Sequence, residues 1–282
     1  MINNRRKPSW LKINLPMGEL STKVIDTIKN NKLNTICTSG MCPNKSECWG
    51  CGTATFMISG DICTRSCKFC NVKTGLPRDL DENEPQHIAN SIKELSMKHL
   101  VLTSVDRDDL NDLGAGHWVK VINKVKETSP QITMEVLIPD FQGRKELVQR
   151  IIDTKPNVIS HNLETSKRLT PSIRSVAKYD TSLAVLKQIA DSGIIAKTGI
   201  MLGLGESREE ILETMKDAFD VGCKVFTLGQ YLQPSAKNID VKEYIHPDTF
   251  KEYKRIGLEM GFKHVESGPF VRSSYHAERH IN

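Results

Sequence analysis

Short apolar runs rich in β-branched residues recur along the chain: TATFMIS (53–59), HLVLTSV (99–105), TMEVLIP (133–139), NVISHN (157–162), AKTGIML (196–202) and KVFTLGQ (224–230). Each is short, continuous and bounded by polar or turn-forming residues, which predicts a buried strand. Segments of helical period lie between them. PQHIANSIKELSMK places Pro85 at a helix start and sets Ile88, Ile92 and Leu95 on one face. DTSLAVLKQIADSG opens on an Asp180–Thr181 cap and closes on Gly193. SREEILETMKDAFDVG carries Ser207, then Glu210 three residues on, then Gly222 past its end, which predicts a capping box and a C-cap.

Strand and helix in alternation imply an α/β protein with a parallel sheet. A closed eight-unit barrel needs more chain than is present. The fold expected is a partial TIM-type (β/α)6 barrel over 53–235, in preference to an open doubly wound sheet. Residues 1–52 and 236–282 do not follow the alternation, and are read as N- and C-terminal extensions that cap the barrel. In such barrels the chemistry sits on loops at the C-terminal ends of the strands. Polar residues follow the second, fourth, fifth and sixth strands, so these groups are expected to converge on one face.

The 282 residues, 38% hydrophobic and 26% charged, describe an ordinary globular chain. No apolar run approaches a membrane span, and MINNRRKPSWLKINLP lacks the apolar core of a secretory signal. The expected location is cytoplasmic, with no membrane association. A net charge of +5 is mild and gives little support to a nucleic-acid partner. The RRK at 5–7 is read as a solvated arm able to meet an acidic protein partner.

Of eight cysteines, seven fall between Cys37 and Cys70, and Cys223 stands alone. Such clustering points to metal binding or catalysis rather than a disulfide framework. Cys63, Cys67 and Cys70 are spaced C-x3-C-x2-C directly after the first strand. Three thiolates can hold a [4Fe-4S] cube by three irons and leave the fourth open. A competing pattern, Cys48 and Cys51 with Cys67 and Cys70, falls within zinc-ribbon spacing. It would leave Cys37, Cys42 and Cys63 unused and place a buried strand inside the zinc loop. Cys37, Cys42 and Cys48 form a second set, C-x4-C-x5-C, either structural thiols or a second cluster site. Cys223 is read as a core thiol. His117 and His161 are read as structural hydrogen-bonders, and Asp106, Asp108 and Asp109 as a loop network centred on Arg107.

The C-x3-C-x2-C motif, with Phe69 before its last cysteine, resembles the signature of the radical S-adenosylmethionine (SAM) enzymes. That resemblance implies SAM chelated at the open iron and cleaved by an electron from the cluster. The two cysteine motifs joined by GTATFMI resemble the lipoyl synthase family more narrowly. So do RKPSWLK, LTSVDRDDLNDLGAGHW (102–118), EVLIPDF (135–141), HNLET (161–165), TLGQYLQPS (227–235) and GPFVRSSYHA (268–277). The likeness runs from about residue 5 to residue 277. A biotin-synthase-like enzyme or a methylthiotransferase is the alternative within the same chemistry.

The lipoyl synthase resemblance implies insertion of two sulfur atoms, at C6 and C8 of a protein-bound octanoyl chain. It implies two [4Fe-4S] clusters and two SAM molecules consumed per product. Cys63, Cys67 and Cys70 would hold the radical-generating cluster. Cys37, Cys42 and Cys48 would hold the sulfur donor, with a serine of the Arg272–Tyr275 motif as fourth ligand. The family match places that ligand at Ser274, where spacing alone does not separate it from Ser273, and it makes Cys51 a bystander. GIMLGLGE (199–206) resembles the family's segment near the adenine, with Met201 in place of isoleucine, implying roles for Gly199, Gly203, Gly205 and Glu206. Thr103 and Ser104 occupy the place of the usual methionine-binding segment, and Asn162 and Glu164 are expected at the ribose and methionine moieties. The implied partners are an octanoylated lipoyl carrier domain or glycine-cleavage H protein, an electron donor such as ferredoxin or flavodoxin, and an iron–sulfur carrier.

Overall fold

All six apolar runs form strands. The computed structural model describes residues 7–12 and 18–281. Its strands are β1 (Asn34–Thr35), β2 (Thr55–Ile58), β3 (Ile62–Cys63), β4 (Lys73–Thr74), β5 (His99–Ser104), β6 (Thr133–Leu137), β7 (Val158–Ser160), β8 (Ile195–Leu202), β9 (Val225–Gln230) and β10 (His264–Gly268). Eight of them make one sheet in the order β1-β2-β5-β6-β7-β8-β9-β10. Every neighbouring pair from β2 to β10 is parallel, and only β1 runs antiparallel, on β2. Among the described residues no pairing joins β10 back to β1 or β2, so the barrel is partial.

Helices cover the outer face, which is why β2 and β9 are buried along their whole length. Glu84–Glu94 lays Ile88 and Ile92 against the sheet. Ala115–Thr128 contributes Trp118, Val121, Ile122 and Val125 to the same core. Burial of side chains of this size stabilises by roughly 1.5–3 kcal/mol each. The Trp118 indole N–H keeps a partner, donating to Ser104 Oγ at 3.2 Å. Ser207 accepts from Glu210 N, and the Glu210 side chain returns to the Ser207 N–H, so the capping box forms as expected.

Two expectations are corrected. The helix Tyr179–Asp191 starts ahead of the anticipated Asp180–Thr181 cap, with Lys178 at its N-cap and no side-chain cap bond. Asp180 pairs instead with Lys167 at 2.9 Å. The last segment also continues the alternation: helix Pro247–Met260 is followed by β10, which extends the sheet from Val225↔His264 to Gly229↔Gly268. Val265 is the one buried residue of β10, too little apolar signal to mark a strand in sequence.

The N-terminal segment packs its own small cluster, Val24, Cys37, Trp49 and Ala54, beside the main core. Arg5 and Arg6 of the basic arm lie outside the described residues.

Candidate active site

The first cysteine set sits on the loop that leaves β2. Strands β3 and β4 close this loop as a two-stranded parallel pair, Ile62↔Lys73 and Cys63↔Thr74. Cys67 and Cys70 lie on the loop so enclosed, with Cys70 N–H bonded to the Cys67 carbonyl at 3.0 Å. The loop is tied from outside by Lys68 N–H to the Ile173 carbonyl at 2.9 Å and by Asn238 Nδ2 to the Cys70 carbonyl at 2.8 Å. Cys63 Sγ accepts backbone N–H groups from Arg65 at 3.4 Å and Asp106 at 3.3 Å. The three thiols are free and half-buried.

Arg65, between the first two of these cysteines, is almost wholly buried. It reaches Asp106 at 3.3 Å, Asp108 at 2.7 Å and Asp140 at 2.9 Å. Burial pushes Asp140 up, but Arg65's hydrogen bond and charge outweigh it and hold the carboxyl below its usual range. The loop network is thus centred on Arg65, where the sequence suggested Arg107. Arg107 instead grips Asp109 at 2.8 Å and the Ser59 carbonyl at 3.3 Å.

The second cysteine set rises from the N-terminal segment. Cys37 is in the short helix Ile36–Ser39, whose Thr35 cap accepts from Thr38 N, and Cys48 is in Lys45–Gly50. Cys42 joins them, its N–H bonded to the Cys37 carbonyl at 3.1 Å. The C-terminal segment is laid across this region. Asn44 Nδ2 donates to the Phe270 carbonyl at 2.7 Å, and the Tyr275 hydroxyl to Glu47 at 3.1 Å. Gly229 permits that crossing: a Cβ there would stand 2.1 Å from the Val271 carbonyl oxygen. The two serines of the segment differ in commitment. The Ser273 hydroxyl accepts from Asn162 Nδ2 at 2.7 Å, whereas among the described residues no hydrogen bond involves the Ser274 side chain.

One cavity of about 530 Å³ joins these parts. Cys63, Cys67 and Cys70 are on its wall with Cys37, Cys42, Ser273 and Ser274. Cys48 is not on the wall, but the charges of Cys37 and Cys42 reach its thiol. Cys51 is exposed and off the wall. Of the zinc-ribbon pattern, Cys67 and Cys70 are on the cavity wall and Cys48 and Cys51 are not, and among the described residues no three such ligands are grouped to hold a single ion. Cys223 is buried in the core.

Thr103, Ser104, Asn162, Glu164 and Gly199 also line the cavity. Gly203, Gly205 and Glu206 do not. Glu206 instead accepts from the N–H groups of Gly203 and Leu204. Gly199 serves packing as well, since a Cβ there would meet Thr227 Oγ1 at 1.9 Å. His117 binds Glu84 at 2.5 Å, and His161 bridges the Ile138 carbonyl and Ser182 Oγ, each at 2.9 Å, both structural as expected.

Sequence reasoning missed Arg174, Lys197 and Glu135. Arg174 is buried on the cavity wall, with Nη1 on Ser182 Oγ at 3.0 Å and Nε without a partner. Lys197 and Glu135 sit inside strands, where a charge breaking an apolar run was the only available signal.

The donor set fits iron–sulfur clusters. Burial, then the nearby Asp106 charge, pushes the Cys63 thiol up to about 12. Burial, then the Cys37 and Cys42 charges, pushes Cys48 up to about 12, and burial, then Cys67, pushes Cys70 up to about 11. Burial does the same to the core thiol Cys223, pushing it up to about 12, so the fit rests on the donors themselves, thiols that give up their protons on binding a metal. The buried Asn162 Oδ1 has no partner and lies on the same wall, a polar atom left for a bound molecule.

The chain resembles known proteins in sequence and in fold. The model of the Radical SAM superfamily matches residues 57–218. The solved structure of Streptococcus suis SuiB bound to S-adenosylmethionine superposes with a TM-score of 0.61 at 13% identity, over 75% of this chain and 49% of that one. At that identity the likeness shows the fold alone. Together, the fold and the matching family model define a radical SAM enzyme, with SAM and [4Fe-4S] clusters as its cofactors. The lipoyl synthase of Treponema denticola is 68% identical over 281 residues, covering 100% of this chain and 97% of that protein. That of Phocaeicola vulgatus is 58% identical over 280 residues, 99% of each. The chain belongs to the lipoyl synthase family.

Proposed function

We propose that this chain inserts two sulfur atoms, at C6 and C8, into an octanoyl chain held on a lysine of a lipoyl carrier protein. Cys63, Cys67 and Cys70 hold the radical-generating cluster, and Cys37, Cys42, Cys48 and Ser274 hold the sulfur donor. When bound, SAM and the first cluster supply a carbon-centred radical able to break unactivated C–H bonds, and the second cluster supplies the sulfur. The observation that carries this assignment is the shared cavity, with Cys63, Cys67 and Cys70 on its wall together with Cys37, Cys42 and the serine pair. Radical transfer and sulfur capture at one carbon chain need both sources within reach of it.

The chain's own residues position and shield. Arg65 holds the first cysteine loop against three carboxylates. Asn162, buried on the wall, and Glu164, partly buried beside it, offer polar contacts to SAM, as do Thr103 and Ser104 and the backbone beside Gly199. Gly203, Gly205 and Glu206 shape the turn behind that strand. Leu137, Ile138 and Val271 make the cavity apolar enough for an alkyl chain and exclude water. The free Ser274 hydroxyl supports its assignment over Ser273, and an oxygen donor makes one iron's attachment harder in character than the three thiolates.

The N-terminal stretch from Ile36 to Gly50, with Cys37, Cys42 and Cys48, and the stretch after β10, with Ser274, then serve as the two arms of the donor site. The carrier is an octanoylated lipoyl domain or glycine-cleavage H protein. A ferredoxin or flavodoxin delivers the electrons, and an iron–sulfur carrier restores the donor cluster. The proposed place of work is the cytoplasm, with no membrane partner; among the described residues no helix is long and apolar enough to cross a membrane. The test is an anaerobic reaction of reconstituted protein with SAM, a strong reductant and an octanoyl-lysine peptide, read by mass spectrometry. Gain of two sulfurs with 5′-deoxyadenosine is expected. 5′-Deoxyadenosine with an unchanged peptide overturns the substrate, and neither product at full iron content overturns the chemistry.

A further inference from the structure

Lys197 of β8 and Glu135 of β6 form an ion pair with no solvent exposure on either side chain. Lys197 Nζ lies 2.8 Å from both Glu135 oxygens. Ser160 Oγ donates to Glu135 at 3.0 Å, so the carboxylate is fully engaged. Burial pushes Glu135 up, but Lys197 outweighs it and the carboxyl stays below its usual range. A buried pair of this kind is weak evidence for stability, because desolvating both charges offsets much of their attraction. Its other contacts are more informative.

The ammonium also donates to the Ser273 carbonyl, at 2.5 Å, and faces His280 Nδ1 at 3.2 Å. Both belong to the C-terminal segment. The Ser273 carbonyl shares a planar peptide unit with the Ser274 nitrogen, so a hydrogen bond to that oxygen fixes the orientation of the Ser274 Cα. Asn162 holds the Ser273 hydroxyl, and Gly229 admits the Val271 carbonyl against β9. The serine pair is thus fastened by protein contacts on the Ser273 side, while among the described residues the Ser274 hydroxyl has no hydrogen-bond partner.

We propose that Lys197, itself held by Glu135, is a positioning residue that sets the place of Ser274 from inside the barrel, before any cluster is bound. This rests on the assignment of Ser274 as the fourth ligand of the donor cluster. The serine then meets the cluster already seated, and after it lets go the segment keeps its position.

The test uses full-length protein, metal-free and reconstituted, as wild type, Lys197→Met, the double variant Glu135→Gln/Lys197→Met, and Ser274→Ala. The double variant removes both buried charges and so remains informative where the single one, which strands Glu135, does not fold. Hydrogen exchange of metal-free protein is expected to quicken about tenfold over residues 269–281 in the double variant, on the scale of one lost charge-assisted hydrogen bond. Strands β8 and β9 should keep their wild-type rates. Mössbauer spectra of reconstituted protein should show the double variant resembling Ser274→Ala. Unchanged exchange over 269–281 overturns the proposal. So does faster exchange with a wild-type spectrum, provided that Ser274→Ala alters it. A wild-type spectrum from Ser274→Ala instead overturns the ligand assignment, independently of Lys197.

Discussion

The guanidinium of Arg65, on the first cysteine loop, contacts the Asp140 carboxylate beyond β6 at 2.9 Å. With Asp106 and Asp108 also in its reach, one buried cation holds three carboxylates from two loops, those after β5 and β6, beside the cavity. Arg65→Gln leaves those carboxylates facing one another without a counter-charge. A loss of about 3 kcal/mol is expected, as for breaking a buried pair on one side. Urea unfolding of the metal-free variant measures it. Arg65→Lys should recover only part, since an ammonium lacks the planar fork that reaches three acceptors.

The proposed function divides the serine pair into a ligand, Ser274, and an anchor, Ser273. Ser274→Ala is expected to stop sulfur insertion at least about a hundredfold while SAM cleavage continues, an effect of about 2.7 kcal/mol or more. Ser273→Ala, which loses only the Asn162 contact, should keep its full iron content. Product mass spectrometry, 5′-deoxyadenosine yield and iron assay together make the comparison.

Cys48 and Cys51 are close in sequence but not equal in place. Cys51 is exposed and off the cavity, so Cys51→Ala should retain about eight irons per chain on reconstitution. Cys48→Ala should fall toward about four, the content of one cluster. Equal iron in both variants would contradict the assignment.

Gly229→Ala places a methyl 2.1 Å from the Val271 carbonyl. Neither backbone can yield without lifting the C-terminal segment, so a cost of about 1–3 kcal/mol is expected. Limited proteolysis should cut first within 269–281, and faster than in wild type.

His161 is buried, and burial, then the Arg174 charge, lowers it to about 4 from the usual 6.5. The unfolded chain therefore binds the proton that the folded chain refuses. Stability is full above about pH 6.5 and falls as pH drops toward 4, by about 3 kcal/mol from this residue. Urea midpoints of metal-free protein between pH 4 and 8 should show the slope. His161→Gln should flatten it, because an amide keeps a donor and an acceptor but does not titrate.

Much of this protein was readable from residue order alone. Strands announced themselves because a parallel sheet buried inside a layer of helices demands short, mostly apolar runs, as in β2 and β9. Cys63, Cys67 and Cys70 were legible because a local loop must supply all three thiols, so their spacing is itself the geometry. Tertiary structure alone decided what is non-local. β10 joins the sheet through backbone pairing with β9 and needs little apolar content of its own. Arg65 rather than Arg107 became the hub, because reach to Asp140 depends on β5 and β6 lying side by side. Lys197, Glu135 and Ser273 meet only because β6, β8 and the C-terminal segment converge inside the barrel. Local spacing records what one loop can do, and contacts between distant segments exist only once the chain has closed on itself.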